Sequence, residues 1–188
     1  MKIGVISDTH GNITALLRAL ELFEGVDMII HAGDVLYHPP RLACGDRYDI
    51  PAFVETLNEL AIPIVIAQGN CDPQVYEELL KMPVQSPYAY VSRDNLSIVA
   101  NHGHLLSREK MIELGRRYRA DYFISGHTHM PVLEEVGGLV LMNPGSPAIP
   151  KYEVDGRLVP TVGLITDTGA RIIDADTGAT MFEITRKS

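Results

Sequence analysis

The chain has 188 residues, 46% of them apolar and 21% charged, which suits one globular domain spanning residues 1–188 with a real hydrophobic core. Its net charge of −8 argues against long nucleic acid as a partner, because that affinity rests mainly on Lys and Arg. The sequence shows neither a bilayer-spanning apolar run nor a signal peptide, so we expect a cytoplasmic protein that binds no membrane. Cys44 and Cys71 form no CxxC pair, which argues against a zinc ribbon or a disulfide framework.

Strands and helices alternate in the first third of the chain. Short apolar runs predict strands at 2–7, 27–32 and 63–67. An apolar stripe at helical spacing predicts a helix over 12–23, and Pro51 is placed to open a second helix over 52–60. Residues 33–50 are rich in Pro, Gly and polar residues and are predicted to form a loop. This alternation is typical of a parallel α/β core.

The remainder of the chain is dominated by hairpin signals. Turn-forming residues at 94–95, 137–138 and 167–169 separate paired apolar runs, which predicts hairpins over 88–101, 132–142 and 162–174. A helix is predicted over 108–118, and strands over 122–125 and 180–185. We therefore expect a chain that begins parallel and ends antiparallel. The predicted fold class is α/β, with two mixed β-sheets packed as a sandwich and flanked by helices.

Side chains that can bind metal follow five of the predicted strands. They are Asp8, His10, Asp34, Asn70, His102, His127 and His129. Because ligands bind beyond the carboxyl ends of strands in open α/β sheets, we expect these side chains to converge on one site. Imidazole, carboxylate and amide ligands together favour divalent ions such as Mn, Fe or Zn. Two such ions, bridged by a carboxylate and about 3.5–4 Å apart, can clamp both oxygens of a displacement at phosphorus.

Five short motifs contain these residues: Asp8-x-His10, Gly33-Asp34, Gly69-Asn70-x-Asp72, His102-Gly103-His104 and Gly126-His127-Thr128-His129. In this order they resemble the calcineurin-like metallophosphoesterase superfamily. The short length and the sequences GNCD and NPGS are similar to its small bacterial and archaeal phosphodiesterases of the YfcE type. The resemblance covers nearly the whole chain and implies the four-layer metallophosphoesterase fold.

The resemblance also implies a dinuclear centre and its ligands. One ion would be held by Asp8, His10, Asp34 and His129, and the second by Asp34, Asn70, His102 and His127. Asp34 would bridge them, and a hydroxide between the ions would attack phosphorus. We expect two Mn²⁺ ions, with Fe, Ni or Zn as alternatives.

Cys71 departs from the family pattern. Much of the superfamily has histidine in its place, near the phosphate, where it is thought to help the leaving group depart. A thiol is a weaker hydrogen-bond donor and a different acid. The catalytic candidates are therefore Asn70, Cys71 and His102. We hypothesise a preference for diesters or activated phenolic leaving groups over simple alkyl monoesters.

Each motif residue also has a purely structural interpretation. Asp8 or Asn12 could cap the first helix, and Asn70 or Asp72 the helix that follows them. For Asp72 the capping role is preferred. A lone histidine is more often a hydrogen-bonded structural residue than a ligand. The coincidence of seven ligand-competent residues at strand ends nevertheless favours a metal site.

Several residues near the motifs have open roles. His104 either orients a ligand or caps a turn. We expect His31 in the core, His38 in a solvated loop, and Cys44 as a packing or surface thiol. Asn143, in the NPGS sequence, belongs to a tight turn or faces substrate. Two loop residues after Asp34 are guesses for ligand contact, Tyr37 and Arg41.

The sequence thus favours a metal-dependent phosphodiesterase that acts on a small phosphoester. The alternatives are a phosphomonoesterase or protein phosphatase, a nuclease, and a scaffold like the retromer subunit of this fold. The negative charge argues against a nuclease for long substrates. All seven ligand positions hold residues that can bind metal, which argues strongly against the scaffold alternative. The resemblance and the prevalence of symmetric dimers favour a homodimer.

Overall fold

The computed structural model describes residues 1–39, 47–93 and 95–186. Cys44, Arg41 and Asp94, for which the sequence suggested roles, lie outside these ranges. Within them the helices are α1 (Ile13–Leu22), α2 (Ile50–Asn58), α3 (Tyr76–Leu79) and α4 (Arg108–Arg117). The strands are β1 (Ile3–Ile6), β2 (Met28–His31), β3 (Ile64–Ala67), β4 (Val84–Gln85), β5 (Ala89–Arg93), β6 (Leu96–Ala100), β7 (Tyr122–Ile124), β8 (Pro131–Val136), β9 (Leu139–Pro144), β10 (Glu153–Val154), β11 (Arg157–Leu158), β12 (Thr161–Thr166), β13 (Gly169–Asp174) and β14 (Thr180–Thr185).

Polar caps define the starts of the three longer helices. The Asn12 side chain accepts a hydrogen bond from the Ala15 amide at 3.0 Å, so Asn12 caps α1. This was one of the structural interpretations of the motif residues. Asp49 caps α2, whose first turn contains a proline as predicted. Ser107 caps α4 through the amide of Lys110. Each cap satisfies a backbone donor that the helix itself leaves unpaired.

The first sheet has seven strands in the order β14-β13-β12-β1-β2-β3-β4. Its β1, β2, β3 and β4 pair in parallel, whereas β12 pairs antiparallel with β1, β13 with β12 and β14 with β13. The parallel half confirms the α/β core expected from the first third of the chain. Since β1, β2 and β3 run side by side in one direction, the loops that follow them lie at the same edge of the sheet.

The second sheet has five strands in the order β5-β6-β7-β9-β8. The antiparallel end expected for the chain is confirmed by β12, β13 and β14, but the second sheet departs from that expectation in part. The hairpins β5–β6 and β8–β9 are antiparallel as predicted. However, β6, β7 and β9 pair in parallel. The physical reason is that α4 carries the chain across between β6 and β7, and β8 takes the edge position so that β9 lies against β7.

Three hydrophobic clusters hold these layers together. One lies between the two sheets and includes Val5, Ile30 and Met142. A second packs α1 and α2 against the first sheet, and a third packs α4 against the second sheet. The order helix, sheet, sheet, helix confirms the predicted sandwich of two mixed sheets flanked by helices. Among the described residues, no helix has both the length and the apolar character that crossing a membrane requires.

Three short strands were absent from the sequence prediction: β4, β10 and β11. They span two residues each, too few for a periodic apolar pattern to develop. The helix expected after Asn70 and Asp72, without bounds, is α3, which spans four residues. The β10–β11 hairpin did have a signal, because Asp155-Gly156 at its turn is a strong hairpin dipeptide and both residues have positive φ.

Candidate metal centre

The seven proposed ligands follow β1, β2, β3, β6 and β7, at the edge where the two sheets meet. Five of them are almost completely buried: Asp8, His10, Asp34, His102 and His129. Asn70 and His127 are exposed, at the mouth of the site. The structure therefore brings the five strand ends together as the motifs predicted.

Asp8 has one carboxylate oxygen fixed and the other free. Its Oδ2 accepts hydrogen bonds from the Ser7 hydroxyl at 2.7 Å and the His127 amide at 3.0 Å. Its Oδ1 is buried without a hydrogen-bond partner. A buried carboxylate oxygen costs free energy when it is left unpaired, so Oδ1 is oriented for a cation.

Three histidines are fixed in the same way, through ring nitrogens that face backbone carbonyls. The Nδ1 of His10 lies 2.5 Å from the Tyr37 carbonyl oxygen. The Nδ1 of His102 lies 2.8 Å from that of Ala32, and the Nδ1 of His129 lies 2.6 Å from that of Ile149. Because a carbonyl can only accept, Nδ1 holds the proton in each ring, and Nε2 keeps a lone pair for a metal.

The free ligand atoms form two groups that share Asp8. One group contains Asp8, His10 and His129, and the other contains Asp8, Asp34 and His102. The Nε2 atoms of His10 and His129 are 3.3 Å apart, and His129 Nε2 lies 3.3 Å from Asp8 Oδ1. The Nε2 of His102, also buried without a hydrogen-bond partner, lies 3.4 Å from Asp34 Oδ1. Such lone pairs converge usefully only on a cation, so these residues fit a metal.

Asp34 faces both groups. Its Oδ1 lies 3.4 Å from His102 Nε2, and its Oδ2 lies 3.9 Å from His10 Nε2. The Cys71 amide donates to Oδ1 at 2.9 Å. Burial disfavours the carboxylate, but His102, the Cys71 amide and His10 outweigh it and hold the pKa of Asp34 well below its usual range. Asp34 is therefore an anion with one oxygen towards each side, as a bridging ligand requires.

The pKa of His102 is shifted in the opposite direction to that of Asp34. Burial disfavours its imidazolium, yet the carboxylates of Asp34 and Asp8 outweigh burial and raise the pKa of His102 above its ordinary value. For His10 the balance goes the other way, and burial lowers the pKa. A proton and a metal ion would therefore compete for His102 Nε2 in the negative environment of the two carboxylates.

The exposed side of the centre is formed by Asn70, Cys71 and His127. The Oδ1 of Asn70 lies 2.9 Å from His127 Nδ1, and its Nδ2 donates to the Cys71 thiol at 3.2 Å. Burial and the nearby Asp34 charge raise the pKa of Cys71 to about 12, so its sulfur holds a proton. His127 lies outside both groups of buried ligands.

The backbone around the site adopts unusual conformations. Among the described residues, eight that are not glycine have positive φ, and five of these are proposed ligands: Asp8, His10, Asp34, His127 and His129. Asp and His tolerate this region better than most residues, and such conformations cluster at functional sites. A Cβ on Gly69 would come within 2.2 Å of Asp34 Oδ1, which is why glycine stands there.

Asp72 does not cap a helix, so the preferred sequence interpretation was wrong. The capping position of α3 is Val75. The carboxylate of Asp72 instead accepts hydrogen bonds at 2.8 Å from three backbone amides, those of Asp34, Val35 and Gly69. It thereby joins the loop that presents Asp34 to the loop that presents Asn70.

The NPGS sequence, residues 143–146, also holds the loops of the site in place through hydrogen bonds. Asn143 is 2% exposed, which contradicts a substrate-facing role. Its Nδ2 donates to the Gly126 carbonyl, and its Oδ1 accepts from the Gly145 amide. The Ser146 hydroxyl donates to the Asp8 carbonyl at 2.8 Å and accepts from the Ile149 amide at 2.8 Å. The Ile149 carbonyl in turn holds His129.

The remaining histidines occupy three different environments. His31 is fully buried at the end of β2, as expected, and bonds to Thr9 and to the Gly33 amide. His104 is exposed at the rim, with its ring centroid 5.6 Å from that of His102. His38 lies in the loop as expected, but it is half-buried, edge-on to Tyr48 at 5.4 Å. Tyr37 is 42% exposed beside the centre.

Comparison with known proteins identifies the family. Residues 1–165 match the model of the calcineurin-like phosphoesterase superfamily domain. The chain belongs to this superfamily. It is therefore a hydrolytic enzyme, and the family is metal-dependent. Phosphodiesterase YfcE of Escherichia coli K12 is 39% identical to this phosphoesterase over 153 residues, which cover 80% of this chain and 82% of YfcE.

Structural comparison agrees with the sequence comparison. A solved structure of YfcE, described as a phosphoesterase from E. coli, matches with a TM-score of 0.83 and 32% identity, and the match covers 98% of this phosphoesterase and 99% of YfcE. Phosphodiesterase MJ0936 of Methanocaldococcus jannaschii is 31% identical over 175 residues, which cover 88% of this chain and 92% of MJ0936. Zinc-bound Vps29 of Entamoeba histolytica matches with a TM-score of 0.65 at 22% identity, covering 98% and 99% of the two chains, which shows a shared fold alone.

Proposed function

We propose that this phosphoesterase hydrolyses a small phosphodiester at two divalent metal ions. The observation that carries the proposal is the pair of buried ligand atoms without a hydrogen-bond partner, Asp8 Oδ1 and His102 Nε2, which form one group with the Asp34 carboxylate. In the proposed assignment Asp8, His10 and His129 hold one ion, and Asn70, His102 and His127 hold the other. Asp34 bridges them, because its two oxygens face a histidine from each set.

The protein's own groups have distinct tasks in this proposal. Two bound ions would supply Lewis-acid polarisation of the phosphate and a lower pKa for an attacking water. The backbone carbonyls of Tyr37, Ala32 and Ile149 hold the three buried imidazoles in one tautomer, so that their orientation is fixed before substrate arrives. Asn70 and His127, at the exposed mouth, lie where a phosphate would enter.

Cys71 supports the choice of a diester. Its protonated thiol is a poor proton donor to a departing alkoxide, because its pKa of about 12 lies far above that of an imidazolium. The enzyme would therefore depend on leaving groups that are stable as anions, and two of the relatives, YfcE and MJ0936, are named phosphodiesterases. We also propose Mn²⁺ as the metal, the cytoplasm as the location and a homodimer as the assembly.

The function is tested by hydrolysis of bis-p-nitrophenyl phosphate after metal removal and reconstitution with Mn²⁺. We expect metal-dependent turnover, and a loss of at least about a hundredfold in Asp34→Asn, because even changes outside the ligand sphere cost 10–100-fold. Asp155→Asn, at the exposed β10–β11 turn, is the matched control and should retain activity. Absence of metal-dependent turnover in the parent protein would favour the scaffold alternative.

The ester preference is tested with Cys71→His. Histidine at this position should raise activity on glycerol 2-phosphate, an alkyl monoester, relative to bis-p-nitrophenyl phosphate, because an imidazolium can protonate a departing alkoxide, whereas p-nitrophenolate leaves without a proton. Both rates are measured on the same metal-loaded preparations. A ratio unchanged by the substitution would exclude a role for Cys71 in the choice of ester.

A further inference from the structure

A cavity of 460 Å³ opens directly beside the candidate metal centre. Its lining residues are Tyr37, Asn70, Cys71, Asp72 and Pro73. The volume falls within the range of small-molecule sites, roughly 300–1,000 Å³. Because Asn70 belongs both to this lining and to the proposed ligands, a molecule with its phosphate at the metals could extend into the cavity. We call this space the arm cavity.

Hydrogen bonds at two of its lining residues, Tyr37 and Cys71, connect the arm cavity to the metal centre. On one side, the Tyr37 carbonyl oxygen lies 2.5 Å from His10 Nδ1, so the backbone at Tyr37 is fixed to a proposed ligand of the first ion. On the other side, the Cys71 amide donates to Asp34 Oδ1, and the Cys71 thiol contacts the Asn70 amide group. These hydrogen bonds fix the position of the cavity walls relative to the metal ligands. A substrate arm bound in the cavity would therefore lie at a defined position relative to the phosphate.

The chemistry of the walls is that of an aromatic binding site. Tyr37 is 42% exposed and offers a phenol ring, while Pro73 and Cys71 add a pyrrolidine ring and a thiol. Asp72 supplies the carboxylate among the described lining residues; both of its oxygens are occupied by backbone amides, and it is 4% exposed. No basic residue lines the cavity within the part of the chain that the structure describes. Aromatic and apolar walls with few polar groups favour a flat, uncharged ligand over a second phosphate.

We propose that the arm cavity binds an aryl or heteroaryl arm of the phosphodiester, and that Tyr37 contacts that arm through its ring. This rests on the proposed function, since it requires a phosphoryl group at the metal centre. The specificity of the enzyme would then come from stacking on Tyr37, since flat aromatic groups such as nucleobases stack favourably on aromatic side chains.

The test measures binding without hydrolysis. Phenylphosphonate and methylphosphonate are titrated calorimetrically into the Mn²⁺-loaded protein, because both offer the same phosphoryl group but only one has an aryl arm. Phenylphosphonate should bind about tenfold more tightly, which corresponds to about 1.4 kcal/mol. Tyr37→Ala should remove most of this preference, whereas Tyr37→Phe should keep it. Tyr90→Ala, at an exposed tyrosine outside the cavity, should leave it unchanged.

The outcomes separate this proposal from the one it rests on. Equal affinities for the two phosphonates, or a preference that survives in Tyr37→Ala, would overturn the arm cavity while leaving a functional metal centre. If neither phosphonate binds and bis-p-nitrophenyl phosphate is not hydrolysed, the proposed function fails and the arm cavity fails with it. Loss of methylphosphonate binding in Tyr37→Ala would show damage to the centre through His10, and would also contradict a role confined to the aryl arm.

Discussion

Asp72 links two loops through a single carboxylate. It accepts hydrogen bonds from three amides that lie as much as 38 positions away, and these amides belong to the loops that present Asp34 and Asn70. Asp72 is not one of the proposed ligands, but its hydrogen bonds set the spacing between the loops of Asp34 and Asn70. Hydrogen bonds that position metal ligands in this way affect the affinity for the metal.

Asp72→Asn should weaken metal binding as well as folding. The amide group would turn a donor towards backbone donors, so at least one of the three hydrogen bonds is lost, at about 1–3 kcal/mol of folding free energy. We expect Mn²⁺ affinity to fall about 10–100-fold, measured by calorimetry on folded protein. Asp155→Asn is the control. A variant with lower stability but unchanged Mn²⁺ affinity would mean that Asp72 has only a structural role.

His102 predicts a pH dependence of metal binding. In the metal-free protein its pKa is raised, so the imidazole keeps its proton to a higher pH than an ordinary histidine does, and this proton must leave before Nε2 can bind a metal. The pKa of Asp34 is lowered, and Asp34 therefore stays ionised over the same pH range. Mn²⁺ affinity should be retained above the raised pKa of His102 and fall as the pH decreases through it. Calorimetry at a series of pH values on both sides of neutrality checks it, and a constant affinity would contradict the assignment of His102.

The proposed ligands could be predicted from the sequence because each lies in a short motif directly after a strand. Asp72 and Ser146 could not, because their roles depend on partners far away in the chain. Asp72 carries the same local signal as a helix cap, an acidic residue shortly before a helix. Only the folded arrangement shows that its carboxylate faces the loop of Asp34 instead.

At the scale of elements, the segment after β9 fixes two motifs at once. Ser146 binds the Asp8 carbonyl and orders the turn to Ile149, whose carbonyl holds His129. Ser146→Ala would leave a buried carbonyl and two amides without their partner, so we expect a loss of about 1–3 kcal/mol in free energy of unfolding. Urea denaturation measures it. Ser92→Ala, at an exposed site on β5, should change stability by less than about 0.5 kcal/mol, and an equal effect of the two substitutions would contradict this role.

Periodic segments of ten or so residues and hairpins with marked turns were predicted well, as α1, α4 and the β12–β13 pair show. The parallel pairing of β9 with β7 was not predicted. The sequence of β8 and β9 specifies their hairpin but does not specify which of the two strands lies next to β7. That choice follows from packing against the other strands. Pairing between non-consecutive strands is a property of the assembled sheet, which local patterns do not encode.

At the scale of the molecule, the core between the sheets places the first-half ligands against the second-half ligands. Asp8 and Asp34 follow strands of one sheet, and His102 and His129 follow strands of the other. The metal centre therefore depends on the alignment of the two sheets, which in turn depends on the packed side chains between them.

Met142 tests how much the packed side chains between the two sheets contribute to stability. It is fully buried between the sheets, so Met142→Ala should cost about 2–5 kcal/mol in free energy of unfolding, measured with urea in the presence of a chelator. Met130→Ala, at a side chain that is 39% exposed, should cost less than about 0.5 kcal/mol. Similar losses in the two variants would show that the inter-sheet core contributes less than its burial indicates.

The positive φ angles at five proposed ligands have a consequence for the amount of enzyme. Conformations of this kind cost free energy in the metal-free state, about 1–3 kcal/mol for an unfavourable residue, and less for Asp and His. Bound ions would offset that cost, because a ligand that binds only the folded state stabilises it in proportion to the logarithm of its concentration. A cell short of the metal would then lose not only turnover but also protein, since a less stable chain is degraded faster. Metal supply would thus set both the activity and the abundance of this phosphoesterase.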